Sequence, residues 1–266
     1  MARIESTVSS APRGTAGNAQ ASEGAVKRPH QTSGQKIRQA FLEIGIIVLA
    51  SILLAALFKA FLFQMFVIPS GSMENTLQIN DRVIVSRITE FDRGDIVVFE
   101  DEEGWMPEAA EPGAIESVLQ FLGLRPYTGE SYLVKRVIGK GGDRVTCCDE
   151  AGRITVNGYA LEESAYLFSE GGVTVEPSTI AFDVIVPEGR IFVLGDHRNR
   201  SADSRYHLCD SDPLVAFPPE TAVRGPVAFI AFPLGRATRF HTPESFANIP
   251  AAAESPPGVG PVLSGC

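Results

Sequence analysis

Residues 44–67, IGIIVLASILLAALFKAFLFQMFV, form one long apolar run whose single charge is Lys59. As a helix rising about 1.5 Å per residue, a run of this length reaches about 36 Å, enough to cross a bilayer with some tilt. No face of it is polar, which argues against a helix in a soluble core. A cleaved secretory signal would have a shorter core, nearer the N-terminus, followed by an A-x-A-like site. The run is therefore expected to be a single membrane anchor, with the long stem of Lys59 snorkelling toward one headgroup layer. Charge gives it a direction. Residues 1–43 carry six basic side chains (Arg3, Arg13, Lys27, Arg28, Lys36 and Arg38) against Glu5, Glu23 and Glu43, a net +3 in a chain of net charge −9. The remainder is thus at −12, and the positive-inside rule places the head in the cytoplasm and the residues after about 68 outside. So acidic a body is a poor nucleic-acid partner. The partner implied by the run itself is a lipid bilayer.

Composition divides the rest. Residues 1–40 are rich in Ser, Ala, Gly, Thr and Gln and are expected to be a disordered basic head. Residues 242–266, rich in Pro and Ala, are expected to be a disordered tail that adds nothing to the fold. With 41–67 as the anchor, 68–241 remain as an extracytoplasmic domain, carrying an insertion at 101–130. That domain reads as mostly β and antiparallel. Asp81–Ile88, Gly94–Glu100, Ser131–Gly139, Asp143–Cys148, Arg153–Leu161, Phe182–Asp196 and Gly225–Pro233 are rich in β-branched and aromatic residues. Residues 149–152 (DEAG) and 157–158 (NG) are hairpin-type turns. Ala114–Leu124 departs from this pattern, with Ile115, Val118, Leu119 and Leu122 at helical spacing. That helix either packs on the body or, with Trp105 and Met106, lies on the membrane surface.

Just past the anchor, FVIPSGSMENTL (Phe66–Leu77) sets Ser70 and Ser72 either side of Gly71. Serine needs a neighbouring base to become a nucleophile, and no Gly-x-Ser-x-Gly elbow is present. Of four histidines, His30 lies in the head and His241 borders the tail. His197 and His207 permit a Ser-His-Asp arrangement with Asp196 or Asp203. Lys135 is the alternative. In a strand it shares a face with Leu133 and Val137, while Val134 and Arg136 point the other way. Burial on such a face lowers a lysine pKa. An ordinary lysine is neutral in about one molecule in 2,500 at pH 7, and bringing its pKa to about 7 costs roughly 4 kcal/mol. Spacing alone equally permits a solvated Lys-Arg pair on a surface strand.

Four motifs in order narrow the choice. PSGSM at the end of an anchor, GDIVVF, KRVIG, and GD-x-R-x-x-SADSR together resemble the bacterial type I signal peptidases, over about residues 60–235. The resemblance implies a signal peptidase/LexA-like β catalytic domain and a Ser-Lys protease that needs no metal or cofactor. It makes Ser72 the nucleophile and Lys135 the general base. Ser70, with the Ser72 backbone N–H, would form the oxyanion hole, where two donors supply a few kcal/mol. Ser201 would orient the lysine ammonium, and Asp203 and Arg205 would brace its loop. Gly71 would allow a backbone conformation that a side chain forbids, and Pro69 would stiffen the approach.

The same resemblance implies the substrates: exported preproteins, cut after small residues at −1 and −3 and held as an added strand. Phe66, Ile68, Met73, Leu77 and Leu133 match positions lining those pockets, though ordinary core packing accounts for such residues equally well. A place in the cell membrane near the secretion translocon follows from the same likeness. The chain departs from the family pattern at Asn75 and Gly141, each in place of a proline, and at His197, Asn199 and Arg200. CCD followed by VNG is similar to actinobacterial members.

Of four cysteines, Cys147, Cys148 and Cys209 lie in the exported body and Cys266 ends the chain. Neighbours bridge poorly, so a disulfide from Cys147 or Cys148 to Cys209, or free thiols, are the expectations. The C-x2-C and histidine spacing of a zinc site is missing. Two rival functions are distinguishable. A self-cleaving LexA-like repressor needs a DNA-binding domain where the anchor lies here. A membrane-tethered, non-catalytic β scaffold or binding domain would tolerate loss of Ser72 or Lys135.

Overall fold

The computed structural model describes residues 33–107, 113–121, 125, 127 and 131–252. The expectations for the head before residue 33 and for the tail beyond 252 lie outside these residues, and that for Lys59 lies outside the described side chains. Two compact units are distinguished, 1–49 and 50–266. The first consists, among the described residues, of the beginning of helix α1 (Ser33–Leu62). Within α1, Ile37–Ala56 is long and apolar enough to cross a membrane. Its large side chains, from Ile37 and Phe41 to Leu54, are exposed, as the surface of a span is.

The helix stops short of the end of the apolar run. Phe63–Val67 is instead a strand, β1, paired antiparallel with β2 (Arg82–Ser86) so that Phe66 faces Val83. The run was read as anchor to its last residue, but its final residues alternate. Phe66 is buried in the body while Phe63 is partly exposed, so period two wins over bulk hydropathy there.

The second unit continues with β3 (Ile96–Glu100), α2 (Ala114–Phe121), β4 (Tyr132–Lys140), β5 (Arg144–Cys147), β6 (Ile154–Val156) and β7 (Tyr159–Ala160). After them come β8 (Ser169–Glu170), β9 (Val173–Thr174), β10 (Phe182–Ile185), β11 (Ile191–Leu194), α3 (Ser204–His207) and β12 (Val223–Phe232). One sheet has six strands in the order β1-β2-β12-β3-β4-β11, and a second has four, β10-β5-β6-β7. All named strand pairs are antiparallel. The mostly β expectation holds. The turn at Asn157 and Gly158 takes φ of 52° and 79°, as a primed two-residue hairpin turn requires.

Three expectations change. Thr242–Ala252 is not idle: Phe246 is buried in the core cluster around Ile138, Val145 and Phe192, and Thr242 Oγ1 donates to Asp95 at 2.6 Å. A Pro/Ala-rich average hides one aromatic that repays its ordering by burial. Trp105 is no membrane anchor. It meets Phe99 edge-on, stacks on His207 and donates Nε1–H to the Val215 carbonyl at 2.8 Å. Ile115 and Val118 of α2 are exposed while Leu119 is half-buried, so only part of the apolar stripe of that helix is covered, and Leu122 lies outside the described residues. Finally, Cys147 and Cys148 are bridged to each other across a cis peptide, with Cα atoms 3.0 Å apart. This bond replaces the bridge expected from either to Cys209, which is itself disulfide-bonded. No cysteine among the described residues is free.

Candidate active site

β1 delivers the chain to a short turn, Gly71–Met73, that holds Ser72. The turn is pinned from below by Met73 and Leu77, both fully buried, with Leu77 N–H bonded to the Met73 carbonyl at 2.7 Å. From the side, the His197 N–H donates to the Ser72 carbonyl at 3.0 Å. Strand β4 brings the amine. Its register with β3 sets Lys135 opposite Val97 and Leu133 opposite Phe99, and Leu133 and Val137 share one apolar cluster with Val97 and Phe99. Lys135 is 3% exposed, so the solvated-pair reading fails for it. It fails for Arg136 too, which forks onto Asp196 at 2.7 and 2.9 Å in the interior.

Lys135 Nζ lies 2.7 Å from Ser72 Oγ, and Ser72 is itself buried. Burial drives the Lys135 pKa down to about 8. Asp203 and Asp196 oppose the fall and Arg205 assists it. The arrangement gives a serine hydroxyl a nearby amine that is neutral in about one molecule in ten at pH 7. Ser70 Oγ is 3.4 Å from Ser72 Oγ, a long contact for two hydroxyls.

The supporting loop lies between β11 and α3. Asp203 grips Arg205 through two 2.8 Å bonds and accepts from the Gly195 N–H at 3.1 Å, so this brace is present. Gly195 is obligatory for space, since a Cβ there would run into the Ser201 side chain and the Ser72 carbonyl oxygen. Ser201 differs from expectation: its hydroxyl is buried without a hydrogen-bond partner among the described residues, so the bond to Lys135 is not formed. Gly71 differs too. No positive φ marks it, and what a Cβ would meet is the Glu74 carboxylate, at 2.7 Å.

Neither candidate histidine serves a serine. The His197 ring bonds Glu74 at 3.0 Å and stacks on Phe168, and the His207 ring bonds Asp210 at 2.8 Å. Of the positions that depart from the family pattern, Asn75, His197 and Arg200 have partners nearby. Asn75 takes φ of 83° and donates to the Tyr166 and Leu167 carbonyls, and Arg200 reaches Glu74 at 3.2 Å. Sequence reading missed Glu74, Arg136 and Asp196 as parts of this frame. Their partners lie 60 or more positions away, and only the alternation in β4 hinted that Arg136 turns from Lys135 into the opposite face. Among the described residues no cluster of His, Cys, Asp or Glu could hold a metal ion.

Comparison with known proteins gives this geometry its lineage. The family model "Signal peptidase, peptidase S26" matches residues 41–232. The chain belongs to the S26 signal peptidase family. A probable signal peptidase I of Mycobacterium leprae is 33% identical to this peptidase, over 82% of this chain and 85% of its own length. The signal peptidase I of Mycobacterium tuberculosis H37Rv is 31% identical over 75% of each chain. Bacillus subtilis signal peptidase I U is 30% identical over 64% of this chain and 76% of its own. A crystal structure of a signal peptidase I from Enterococcus faecalis covers 53% of this chain and 98% of its own, at 26% identity and a TM-score of 0.32. A serine peptidase acting on signal peptides is therefore the activity that family membership supports, and the mycobacterial relatives agree with the actinobacterial likeness.

The residues matched to substrate pockets fall into two groups. Phe66, Ile68, Met73 and Leu77 lie together in one core cluster, each at most 1% exposed. Leu133 belongs to the neighbouring cluster and is partly exposed. In this structure the peptidase keeps the first four covered.

Proposed function

We propose that this peptidase removes N-terminal signal peptides from exported preproteins, with Ser72 as nucleophile and Lys135 as general base. The observation that carries the reading is the 2.7 Å contact between a buried amine and a buried hydroxyl. Neutral Lys135 takes the Ser72 proton as Oγ attacks the carbonyl carbon of the residue at −1. The resulting oxyanion faces the Ser72 N–H and the Ser70 hydroxyl. As the C–N bond breaks, the Lys135 ammonium gives its proton to the leaving amine and an acyl-enzyme remains. Water, deprotonated by the same lysine, then releases the signal peptide and restores Ser72. Asp203 and Arg205 hold the loop behind the lysine. Ser201 is assigned the orienting contact that would form with the charged amine.

The preprotein is held as a strand added along the edge of β1 that faces away from β2. Small residues at −1 and −3 suit a groove whose walls are Phe66, Ile68, Met73, Leu77 and Leu133. The enzyme works at the outer face of the cell membrane, beside the translocon that delivers its substrates. The test is cleavage of a preprotein by the detergent-solubilised full-length protein. Cutting after an A-x-A site is expected from wild type, with Ser72→Ala and Lys135→Ala each slower by roughly a thousandfold or more. A Lys135→Ala protein that still cuts, beside a His197→Ala protein that does not, would reassign the base.

A further inference from the structure

The strand edge assigned to the substrate is already taken. β1 is the terminal strand of its sheet, and the edge turned away from β2 carries the Met65 carbonyl and the Val67 N–H. Both are bonded to a single residue of this chain. Tyr127 donates its N–H to the Met65 carbonyl at 2.9 Å and accepts from Val67 N–H at 3.1 Å, making a parallel bridge centred on Phe66. Its ring stacks on Phe66 with centroids 5.1 Å apart and meets Tyr132 edge-on at 5.7 Å. Tyr132 in turn packs on Phe66 at 5.1 Å. The two tyrosines cap the cluster that holds Phe66, Ile68, Met73 and Leu77.

Direction matters here. A strand parallel to β1 runs toward Pro69 and the Ser72 turn, so its next residues head for the nucleophile. A preprotein entering with its signal peptide first and its scissile bond last would take this orientation and need the same two backbone groups. Each of those groups is already partnered, and a second strand has no place on the same edge.

We propose that Tyr127 is a built-in competitor: by backbone and ring it occupies the seat of the preprotein strand, and substrate must displace it to reach Ser72. The proposal rests on the strand-addition reading given above and names how that site is held closed. It explains why residues matched to substrate pockets are covered in the free enzyme. Exchange of one parallel pairing for another leaves Met65 and Val67 satisfied in both states, so displacement costs the protein mainly the aromatic contacts.

The test uses the full-length enzyme in detergent, with a preprotein and its isolated signal peptide as probes. Tyr127→Ala keeps the backbone but loses the ring that holds the segment down. Its KM for preprotein is expected to fall roughly three- to tenfold, the range that one aromatic contact supports, with kcat unchanged and Tyr127→Phe like wild type. A KM that is unchanged or higher in Tyr127→Ala overturns the competitor, and a higher one makes Tyr127 a wall of the groove. A second measurement does not depend on turnover. In the Ser72→Ala protein the Tyr127 amide is expected to resist hydrogen exchange when free and to lose that protection when signal peptide is added. Protection that persists or deepens in the complex overturns the proposal. Wild type that cuts no preprotein overturns the peptidase reading, and the competitor with it; wild type that cuts while Tyr127→Ala fails to gain overturns the competitor alone.

Discussion

At Lys135 the same burial that suits the amine to its proposed role as base weighs on the fold. The lysine pKa is about 8 in the folded protein against 10.5 for an ordinary lysine. Between those values the unfolded chain binds more protons than the native one, so stability rises with pH across that window. Below about pH 8 the full cost of keeping a charged amine buried is present. Two measurements follow. The preprotein kcat/KM should climb about tenfold per pH unit below pH 8 and level above it, since the proposed mechanism uses the neutral amine. Urea unfolding of Lys135→Met should show a protein more stable than wild type at pH 7, by on the order of a few kcal/mol, whose stability no longer rises between about pH 8 and 10.5. A Lys135→Met protein less stable than wild type at pH 7 would mean that the charged amine is compensated in the native state. Ser72 and Lys135, the proposed nucleophile and base, were legible as a pair because the order of four motifs pointed to them, and the structure sets them 2.7 Å apart. The orphaned Ser201 hydroxyl was not, because hydroxyl partners are set by a loop packed onto Ser72 from over a hundred positions away.

Among the elements, period-two patterning located the strands that build the site. The VKRV segment in β4 alternates as expected, Lys135 toward Leu133 and Val137, Arg136 toward Asp196. Patterning was silent on sheet order. β12, the last strand among the described residues, lies between β2 and β3, a long-range choice that no local window records. Composition misled at two boundaries, Phe63–Val67 and Thr242–Ala252, for one reason: an average over a segment hides a single aromatic that docks. Phe246 makes this testable. Its ring packs with Tyr166 at 6.2 Å and fills the space above Gly94, where a Cβ would touch it. Phe246→Ala should destabilise the body by roughly 3 kcal/mol, read as a lower unfolding midpoint in the detergent-solubilised enzyme. An unchanged midpoint would return residues 242–252 to the idle tail that their composition suggested.

For the whole molecule, the proposed topology puts the body outside the membrane, and charge is the argument for it. A head at +3 and a remainder at −12 flank the Ile37–Ala56 span, and short flanking basic segments stay in the cytoplasm. The proposed function calls for the same orientation. A signal peptide enters the bilayer from the cytoplasmic side and exposes its cleavage site at the opposite face, where only an extracytoplasmic Ser72 reaches it. A membrane-impermeant maleimide distinguishes the two sides. In a background without the native cysteines, Glu102→Cys, on an exposed position of the body, should label in intact spheroplasts, and Ser10→Cys only after lysis. Neutralising Arg28, Lys36 and Arg38, the three basic residues just before and at the N-terminal end of the span, should let part of the population insert the other way, so that Ser10→Cys gains label while preprotein processing falls by the same fraction. Labelling of Ser10→Cys alone in intact spheroplasts would place Ser72 in the cytoplasm, out of reach of the bond that it is proposed to cut.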